Sequence, residues 1–479
     1  TKKDMNFKEL IKTILKFKNE SNCKSISLNS KKVKKNDIFI AVSNDFDKNL
    51  ANISEAISKG AGLIITEKKI QIKNSPPIIN LSDLRNKLSE ISNEFYEFPS
   101  KKIKLFGITG TNGKSSVSSF LHQILNKNNM KTALLTSIKS RNKGIFFSEL
   151  TTPDIFFLND FLFNANLDNF EGAVLEVSSH AIHQDRVKGL NFSYGCFTNI
   201  SRDHLDYHKS LKEYSKVKES FFLDNSFNSA LINVDTPLGE KIKKNNKNFL
   251  SFSSKKQNSD FYFDKSNILS YDNFNYDLNF FDGPRFMKLN LAMAMSLAIC
   301  TKLKIDLKTF KNFYTPAGRF EKQKTFNGKL CLIDYAHTPQ ALDVVLKSIR
   351  SDSSGDIICI FGCGGDRDKG KRPNMGRVVE RYSNQIIITN DNSRLEDPDK
   401  IKDDIMKGIS ELSKTKYISD RKEAIKYGLK LLKKAKNDSV LLISGKGHEN
   451  YQEINGKKIY FNDKKVVKEI LNANWKKAL

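Results

Sequence analysis

The chain alternates short apolar runs with polar or glycine-rich breaks. Asp37 to Val42 and Gly62 to Thr66 read as strands, with a helix over Ile53 to Lys59 between them. Phe98-Pro99-Ser100 reads as a linker. Beyond it, Ile103 to Phe106, Ala173 to Val177, Tyr194 to Thr198, Ile357 to Phe361, Ile386 to Thr389 and Val440 to Ile443 read as strands that end in polar or glycine-rich loops. Helical stretches lie between such runs, as at Leu289 to Leu303. This alternation predicts an α/β fold with ligands at the carboxyl ends of the strands. Residues 240 to 280 are polar and predict little function. At roughly 100–200 residues per domain, a chain of 479 residues implies about three domains. A second boundary is expected at the turn Thr315-Pro316-Ala317-Gly318.

One break carries chemistry directly. Ile103 to Phe106 enters Gly107-Ile108-Thr109-Gly110-Thr111-Asn112-Gly113-Lys114-Ser115, a strand feeding a glycine-rich loop that closes on Gly-Lys-Ser. Glycines let backbone N–H groups converge on an anion, and the following helix offers its positive end. Lys114 reaches the β/γ oxygens, and the Ser115 hydroxyl can ligate Mg²⁺. The strict Walker spacing is not met, because Ile108 stands where the first glycine belongs. The loop nevertheless predicts ATP use.

Glu176, at the end of Ala173 to Val177, can face that loop from a strand terminus. It is a candidate Mg²⁺ ligand, since magnesium takes a few hard oxygens and completes its octahedron with water and phosphate. Asn199 to His208 gathers polar and ionisable residues, including two of the seven histidines. His204 on its own divides evenly between a catalytic or metal role and a surface hydrogen bond. In the next helix Leu211, Tyr214, Lys218, Phe221 and Phe222 share one face, so Lys218 falls inside an apolar stripe. Snorkelling is the usual reason; chemical modification or pairing beside a phosphate centre is the other. A second glycine-rich loop, Gly362 to Pro373, lacks a Gly-Lys-Ser ending, and its dense charges suit a polar or zwitterionic ligand.

Composition narrows the classes. A hydrophobic content of 39% suffices for buried cores. No apolar run approaches the roughly 20 residues that span a bilayer, and Thr1 to Leu10 is mixed polar, so a soluble, unexported protein without membrane insertion is expected. The six cysteines are scattered and read as reduced thiols. The formal charge of +26 invites a nucleic-acid reading. Lysines spread along the whole length without an aromatic-interleaved stripe argue instead for a basic surface and no nucleic-acid partner.

The loop Gly110 to Ser115, Thr151-Thr152-Pro153, Glu176 to His180, Asp203 to His208, Gly318-Arg319-Phe320-Glu321, Asp334 to Pro339, Gly362 to Pro373, Asp391-Asn392-Ser393-Arg394 and Gly445-Lys446-Gly447-His448-Glu449 follow one another in an order that resembles the Mur ligases. Within that family they look like the branch that adds the third residue of the peptidoglycan stem. The resemblance runs from about residue 25 to the C-terminus. It implies a UDP-substrate-binding domain over 1–99, a central P-loop ATPase-type domain with a mostly parallel sheet over 100–316, and a Rossmann-like amino-acid-binding domain over 317–479. It also implies a cytoplasmic monomer with ATP and Mg²⁺ as cofactors. Its small-molecule substrates would be UDP-N-acetylmuramoyl-L-alanyl-D-glutamate and meso-diaminopimelate. Catalytic roles are implied for Lys114, His204 and Lys218, and ATP contacts for Gly110, Thr111, Asn112, Gly113, Lys114, Ser115, Ser116, Asn290, Arg319, Asp334 and His337. Leu28, Ser30, Thr151, Thr152, Ser178, Gln184 and Arg186 match the positions that hold the muramoyl-dipeptide. Arg367, Asp391, Asn392, Ser393, Arg394, Gly445 and Glu449 match the diaminopimelate pocket. Ser115, Glu176, His204 and a carbamylated Lys218 match the metal site.

Arg367 and Arg394 offer guanidinium forks for the distal carboxylate that diaminopimelate has and lysine lacks. The chain departs from the family at Ser393, where proline is usual, at Leu28-Asn29-Ser30-Lys31, where Asp-Ser-Arg is usual, and over Asp45 to Asn49. Folylpolyglutamate synthetase, a nucleic-acid-dependent P-loop switch and a binding-only homologue are the alternatives. The first hundred residues, the dispersed charge, and retention of Lys114, Glu176, His204 and Lys218 count against them in turn.

Overall fold

The computed structural model describes residues 6–140, 142–310, 313–325 and 329–475; the first five residues of the Thr1 to Leu10 segment lie outside them. The described residues form three main sheets in chain order. The first is a four-stranded parallel sheet of Ile26–Ser27, Ile38–Ala41, Leu63–Thr66 and Ile78–Asn80. Its connecting helix is Phe46–Ser58, longer than the periodicity predicts, because the Asp45 side chain caps it by accepting from the Lys48 N–H at 3.1 Å. The Asp45 to Asn49 departure thus becomes a helix start.

The central sheet has ten strands, and Lys104–Thr109 lies inside it between Gly172–Glu176 and Tyr194–Phe197, all parallel. Thr132–Thr136 and Ile145–Phe147 extend one side, Ser229–Asn233 and Leu250–Ser253 the other. The polar stretch 240–280 holds three further strands, Phe261–Phe263, Ile268–Tyr271 and Phe274–Asp277, whose few inward apolar positions include the buried Phe261, Phe263 and Leu269. Such short runs carry too little periodicity to be read in advance. Helix Lys114–Lys127 leaves the phosphate loop and packs against Arg285–Cys300, which begins one turn earlier than predicted because Pro284 ends the preceding segment. Strands built from buried apolar runs, with helices packed over them, put the carboxyl ends of the parallel strands at one edge.

The third sheet runs Glu321–Lys324, Leu330–Asp334, Val440–Ser444, Ile357–Phe361, Gln385–Ile388, Thr415–Tyr417 and is parallel except for its first strand. The expected linker at Phe98-Pro99-Ser100 is a fixed turn: Ser100 is buried and its hydroxyl accepts from the Asn191 N–H at 3.0 Å.

His122, on the helix after the phosphate loop, is 5% exposed, and its ring nitrogens make no hydrogen bond of good geometry among the described residues, the Thr132 backbone offering only a weak contact. Burial pulls its pKa from 6.5 down to about 4. The folded state therefore resists a proton that the unfolded chain accepts, and stability falls as pH drops from 6.5 towards 4. The loss below that window is about 3 kcal/mol. Thermal unfolding of His122→Leu followed across this range should show a flattened acid limb; an unchanged limb would assign acid sensitivity to other groups.

Candidate active site

The phosphate loop is shaped by its neighbours as much as by its glycines. At Gly110 φ is +148°, and a Cβ there would lie 1.9 Å from Thr198 Oγ1. At Gly113, φ +87°, a Cβ would lie 2.8 Å from Asn290 Oδ1, which puts the predicted Asn290 against the loop. Thr198 Oγ1 donates to the Asn112 carbonyl at 2.7 Å, and Asn199 Oδ1 accepts from the Asn112 N–H at 2.9 Å. Thr111 Oγ1 accepts from the Ser201 N–H at 3.0 Å and meets Tyr214 Oη at 3.1 Å. Thr198, Asn199, Ser201 and Tyr214 carry no role in the sequence reading; the polar run after Tyr194 to Thr198 was the available signal. Gly110→Ala should weaken ATP binding more than tenfold, because the added methyl collides with Thr198 in a backbone conformation that alanine avoids. Nucleotide titration checks this, and near-normal affinity would refute it.

Lys114 Nζ donates to the carbonyls of Gly110 and Thr111 at 2.8 and 2.9 Å. Lys218 Nζ donates to the same Gly110 carbonyl at 2.9 Å. Two amines thus converge on one oxygen. Lys218 is only 1% exposed and lies over the Tyr214 ring, with Nζ 4.9 Å from its centre. Burial, reinforced by the Lys114 charge, holds the Lys218 amine well below its ordinary pKa. The apolar-stripe lysine is therefore inward and does not snorkel. Burial also lowers Lys114, against the opposing pull of Glu176 and Asp203.

Ser115 Oγ donates to Glu176 Oε2 at 2.7 Å and accepts from Arg319 Nη2 at 3.1 Å, while Thr136 Oγ1 donates to Glu176 Oε1 at 3.1 Å. A hydroxyl and a carboxylate in contact beside a phosphate loop are hard oxygen donors of the kind magnesium takes. Among the described residues, no group of three or more His, Cys, Asp or Glu side chains gathers into a metal cluster. Ser116 is buried behind the loop against Met287. Arg319 also stacks on Tyr335, 4.4 Å from the ring centre. Asp334 accepts the N–H groups of Phe320 and Ala336, both at 2.7 Å, and burial pushes its carboxyl up.

Asp203 is a hub with no individual role in the sequence reading. Its carboxylate lies 3.4 Å from His204 Nε2, 3.6 Å from His337 Nε2 and 3.3 Å from Lys371 Nζ. Burial alone would raise its pKa, yet Lys371 and the two imidazoles hold it well below the carboxylate range. His204 has φ +55° and packs edge-on against His180 at 4.9 Å between ring centres. Burial takes its pKa down to about 3, so its imidazole is neutral at pH 7.

A second cluster lies past the end of Gly172–Glu176. Thr152 Oγ1 donates to the Glu176 carbonyl at 2.8 Å, and the Ser178 N–H donates to Thr152 Oγ1 at 3.0 Å. Arg186 Nη1 donates to the Thr152 carbonyl at 2.9 Å and also bonds Gln184. Thr151 is half-buried next to it. In the first sheet's region Ser30 is buried and donates to Glu55 Oε2 at 2.6 Å, and Leu28 packs against the core.

The third sheet brings up the remaining set. Lys446, fully buried, donates to Asn392 Oδ1 at 3.0 Å and to Glu449 Oε2 at 2.9 Å, with Asp391 at 4.0 Å. Burial would raise the Asp391 carboxyl, but Lys446 and Arg421 lower it. Gly445 N–H donates to the Asp334 carbonyl at 3.1 Å, which ties this pocket to the loop that positions Phe320. Arg394, φ +53°, donates from Nη1 to the Gly365 carbonyl at 2.7 Å and from its N–H to the Glu453 carbonyl at 2.9 Å. Ser393, which stands where proline is usual, is buried, and its loop is held by these bonds and by Glu396 N–H to the Ser393 carbonyl at 3.0 Å. Arg367 Nη1 lies 3.5 Å from Asp206.

A phosphate loop at the carboxyl edge of one mostly parallel sheet, walled by cationic loops from a second, defines a P-loop nucleotide-binding α/β enzyme. Residues 108–298 match the Mur ligase middle domain, and 318–447 match the glutamate ligase domain of the Mur ligases. The UDP-N-acetylmuramoyl-L-alanyl-D-glutamate–2,6-diaminopimelate ligase of Clostridioides difficile is 36% identical over 96% of this chain and 97% of its own. A solved structure of a ligase with that same description shares 30% identity at a TM-score of 0.62, covering 95% of each chain. The MurF ligase of Thermotoga maritima, solved in complex with ADP, is similar in fold at a TM-score of 0.67, 18% identity, 96% of this chain and 100% of its own. The chain belongs to the Mur ligase family.

Proposed function

We propose that this enzyme joins meso-diaminopimelate to UDP-N-acetylmuramoyl-L-alanyl-D-glutamate at the expense of ATP, in peptidoglycan precursor synthesis. The observation that carries this is convergence: the phosphate loop and the arginine-bearing loops of the third sheet meet across Ser201 to Asp206, through Lys371–Asp203 and Arg367–Asp206. A nucleotide site and an acceptor site sharing one wall suit a reaction that activates a carboxylate and then delivers an amine to it.

A carboxylate is a poor electrophile until one of its oxygens becomes a good leaving group. Transfer of the ATP γ-phosphoryl group to the dipeptide's carboxylate makes an acyl phosphate and releases ADP. The diaminopimelate amine attacks it, a tetrahedral intermediate forms and phosphate departs. Lys114 neutralises charge on the transferring group, and Arg319, beside Ser115, adds a second cation. Thr152, Ser178 and Arg186 hold the dipeptide; Asp391, Asn392, Arg367 and Arg394 hold the acceptor and orient its amine. Ser115, Glu176, His204 and Lys218 would hold Mg²⁺, which supplies charge neutralisation at the phosphates. Lys218 would be the carbamylated lysine of this reading: burial and the Lys114 charge hold its amine well below its ordinary pKa, its unprotonated form adds CO₂ with release of a proton, and the resulting anion turns repulsion by Lys114 into attraction. Three domains at 1–99, 100–316 and 317–479 would bring the UDP-substrate, ATP and the amino acid respectively. The chain works in the cytoplasm as a monomer in this reading; no helix among the described residues is long and apolar enough to cross a membrane.

Phosphate release from ATP with UDP-N-acetylmuramoyl-L-alanyl-D-glutamate present, and with meso-diaminopimelate or L-lysine in parallel, tests the proposal. Release with diaminopimelate alone is expected. Release with lysine alone would overturn the pocket assignment, and silence with both would overturn the ligase reading.

A further inference from the structure

We infer that an ionic latch, built by Arg202 and Asp368 and buttressed by Asp203 and Lys371, aligns the acceptor loop with the loop that bears His204, and that Arg202 and Asp368 are positioning residues for amide formation. This deepens the function proposed above and rests on it for the reaction, though not for the latch itself.

The two loops come from different sheets. Ser201 to Asp206 follows the central strand Tyr194–Phe197; Asp366 to Lys371 follows the third sheet's strand Ile357–Phe361. Opposite charges on the two loops pair across the gap. Arg202 Nε and Nη2 donate to Asp368 Oδ2 and Oδ1 at 2.9 and 3.0 Å, a fork-on-carboxylate geometry. Asp203 meets Lys371 at 3.3 Å and Asp206 meets Arg367 at 3.5 Å. Backbone fits the pairing as well: a Cβ at Gly370 would stand 2.2 Å from Arg202 Nη2, so a side chain there would push the guanidinium off.

Physics makes such a contact reversible. Asp203, Lys371 and Asp368 are buried in the assembled form, so opening restores water to charges whose desolvation had offset most of their attraction. An apolar seam of the same extent would stay shut. The pairs register two loops more than they add stability. What they register matters: Arg367 precedes Asp368 directly, while His204 is two residues from Arg202 and touches Asp203. A shift of the latch by about 1 Å moves an acceptor-pocket arginine relative to the phosphate site, an error large enough to lower turnover.

The loops also have separate internal support, which lets the latch be cut alone. Asp368 Oδ1 accepts from the Gly370 N–H at 2.9 Å within its own loop. Asp368→Asn keeps that oxygen but removes the carboxylate charge and sets an amide N–H against the Arg202 Nε that Oδ2 had accepted, and Arg202→Ala leaves the Gly370 bond untouched, so neither substitution removes the local turn. In the ligase assay, each single variant should lose about tenfold in kcat while the KM for the UDP-dipeptide stays within about twofold. The double variant should lose no more than the worse single, since both cut one interaction. Multiplying losses, or a normal Arg202→Ala enzyme, would overturn the latch. Amide hydrogen exchange supplies a readout independent of turnover. Arg202→Ala should speed exchange in Asp366 to Lys371, on the opposite loop, whether or not the assay conditions support activity. Unchanged exchange there would overturn the inference even in an active ligase. Wild-type silence combined with accelerated exchange would sink only the functional reading.

Discussion

Lys218→Arg and Lys218→Met should each lower tripeptide synthesis by about 10³-fold, a size appropriate to removing a central charge-positioning group from a phosphoryl-transfer site. The expectation follows from the environment of the amine. It is 1% exposed, shares the Gly110 carbonyl with Lys114, and is held well below its ordinary pKa by burial and by that neighbour. A permanent ammonium or guanidinium in that position would add a cation where one already stands. A neutral amine can instead capture CO₂, and only then does the site gain an anion to balance Lys114. Arginine keeps charge without that chemistry, and methionine keeps volume without either. Wild-type protein equilibrated with ¹³C-bicarbonate should show a carbamate carbon that both variants lack, and activity depleted by removing CO₂ should return on adding bicarbonate. A Lys218→Arg enzyme of normal rate, or a wild type indifferent to CO₂, would refute the carbamate.

The second large effect concerns the acceptor. Arg394→Ala should raise the KM for meso-diaminopimelate about 100-fold, with the KM for ATP unmoved, because a charge-assisted bidentate contact contributes about 2–3 kcal/mol. Arg394→Lys should recover little of this, since a point charge on a flexible stem does not reproduce a fork. The guanidinium is aimed in advance: Nη1 is fixed on the Gly365 carbonyl at 2.7 Å, and Nε lies 3.6 Å from Glu453 Oε2. An Arg394→Ala enzyme with unchanged KM would remove this residue from the acceptor pocket.

The strands around the phosphate loop were legible because they are buried almost throughout, and burial on both faces leaves an unbroken apolar run. The polar 240–280 stretch was not, because its strands are three or four residues long and several of their positions face water. Lys218 was legible as an anomaly, since helical periodicity alone sets it among Tyr214, Phe221 and Phe222. Asp203 was not, because its importance lies in partners 134 and 168 residues away, His337 and Lys371.

The local order of residues by itself determined the phosphate loop, the α/β alternation and the place of one lysine within an apolar helical stripe, because each depends on spacing along a single element. Only the tertiary structure decided that Lys114 and Lys218 share a carbonyl, that Arg394 is held on the Gly365 carbonyl, and that Arg202 grips Asp368. Those are contacts between separate strand ends, brought to one edge by parallel sheets, and charge, burial and distance there are properties of the assembled edge.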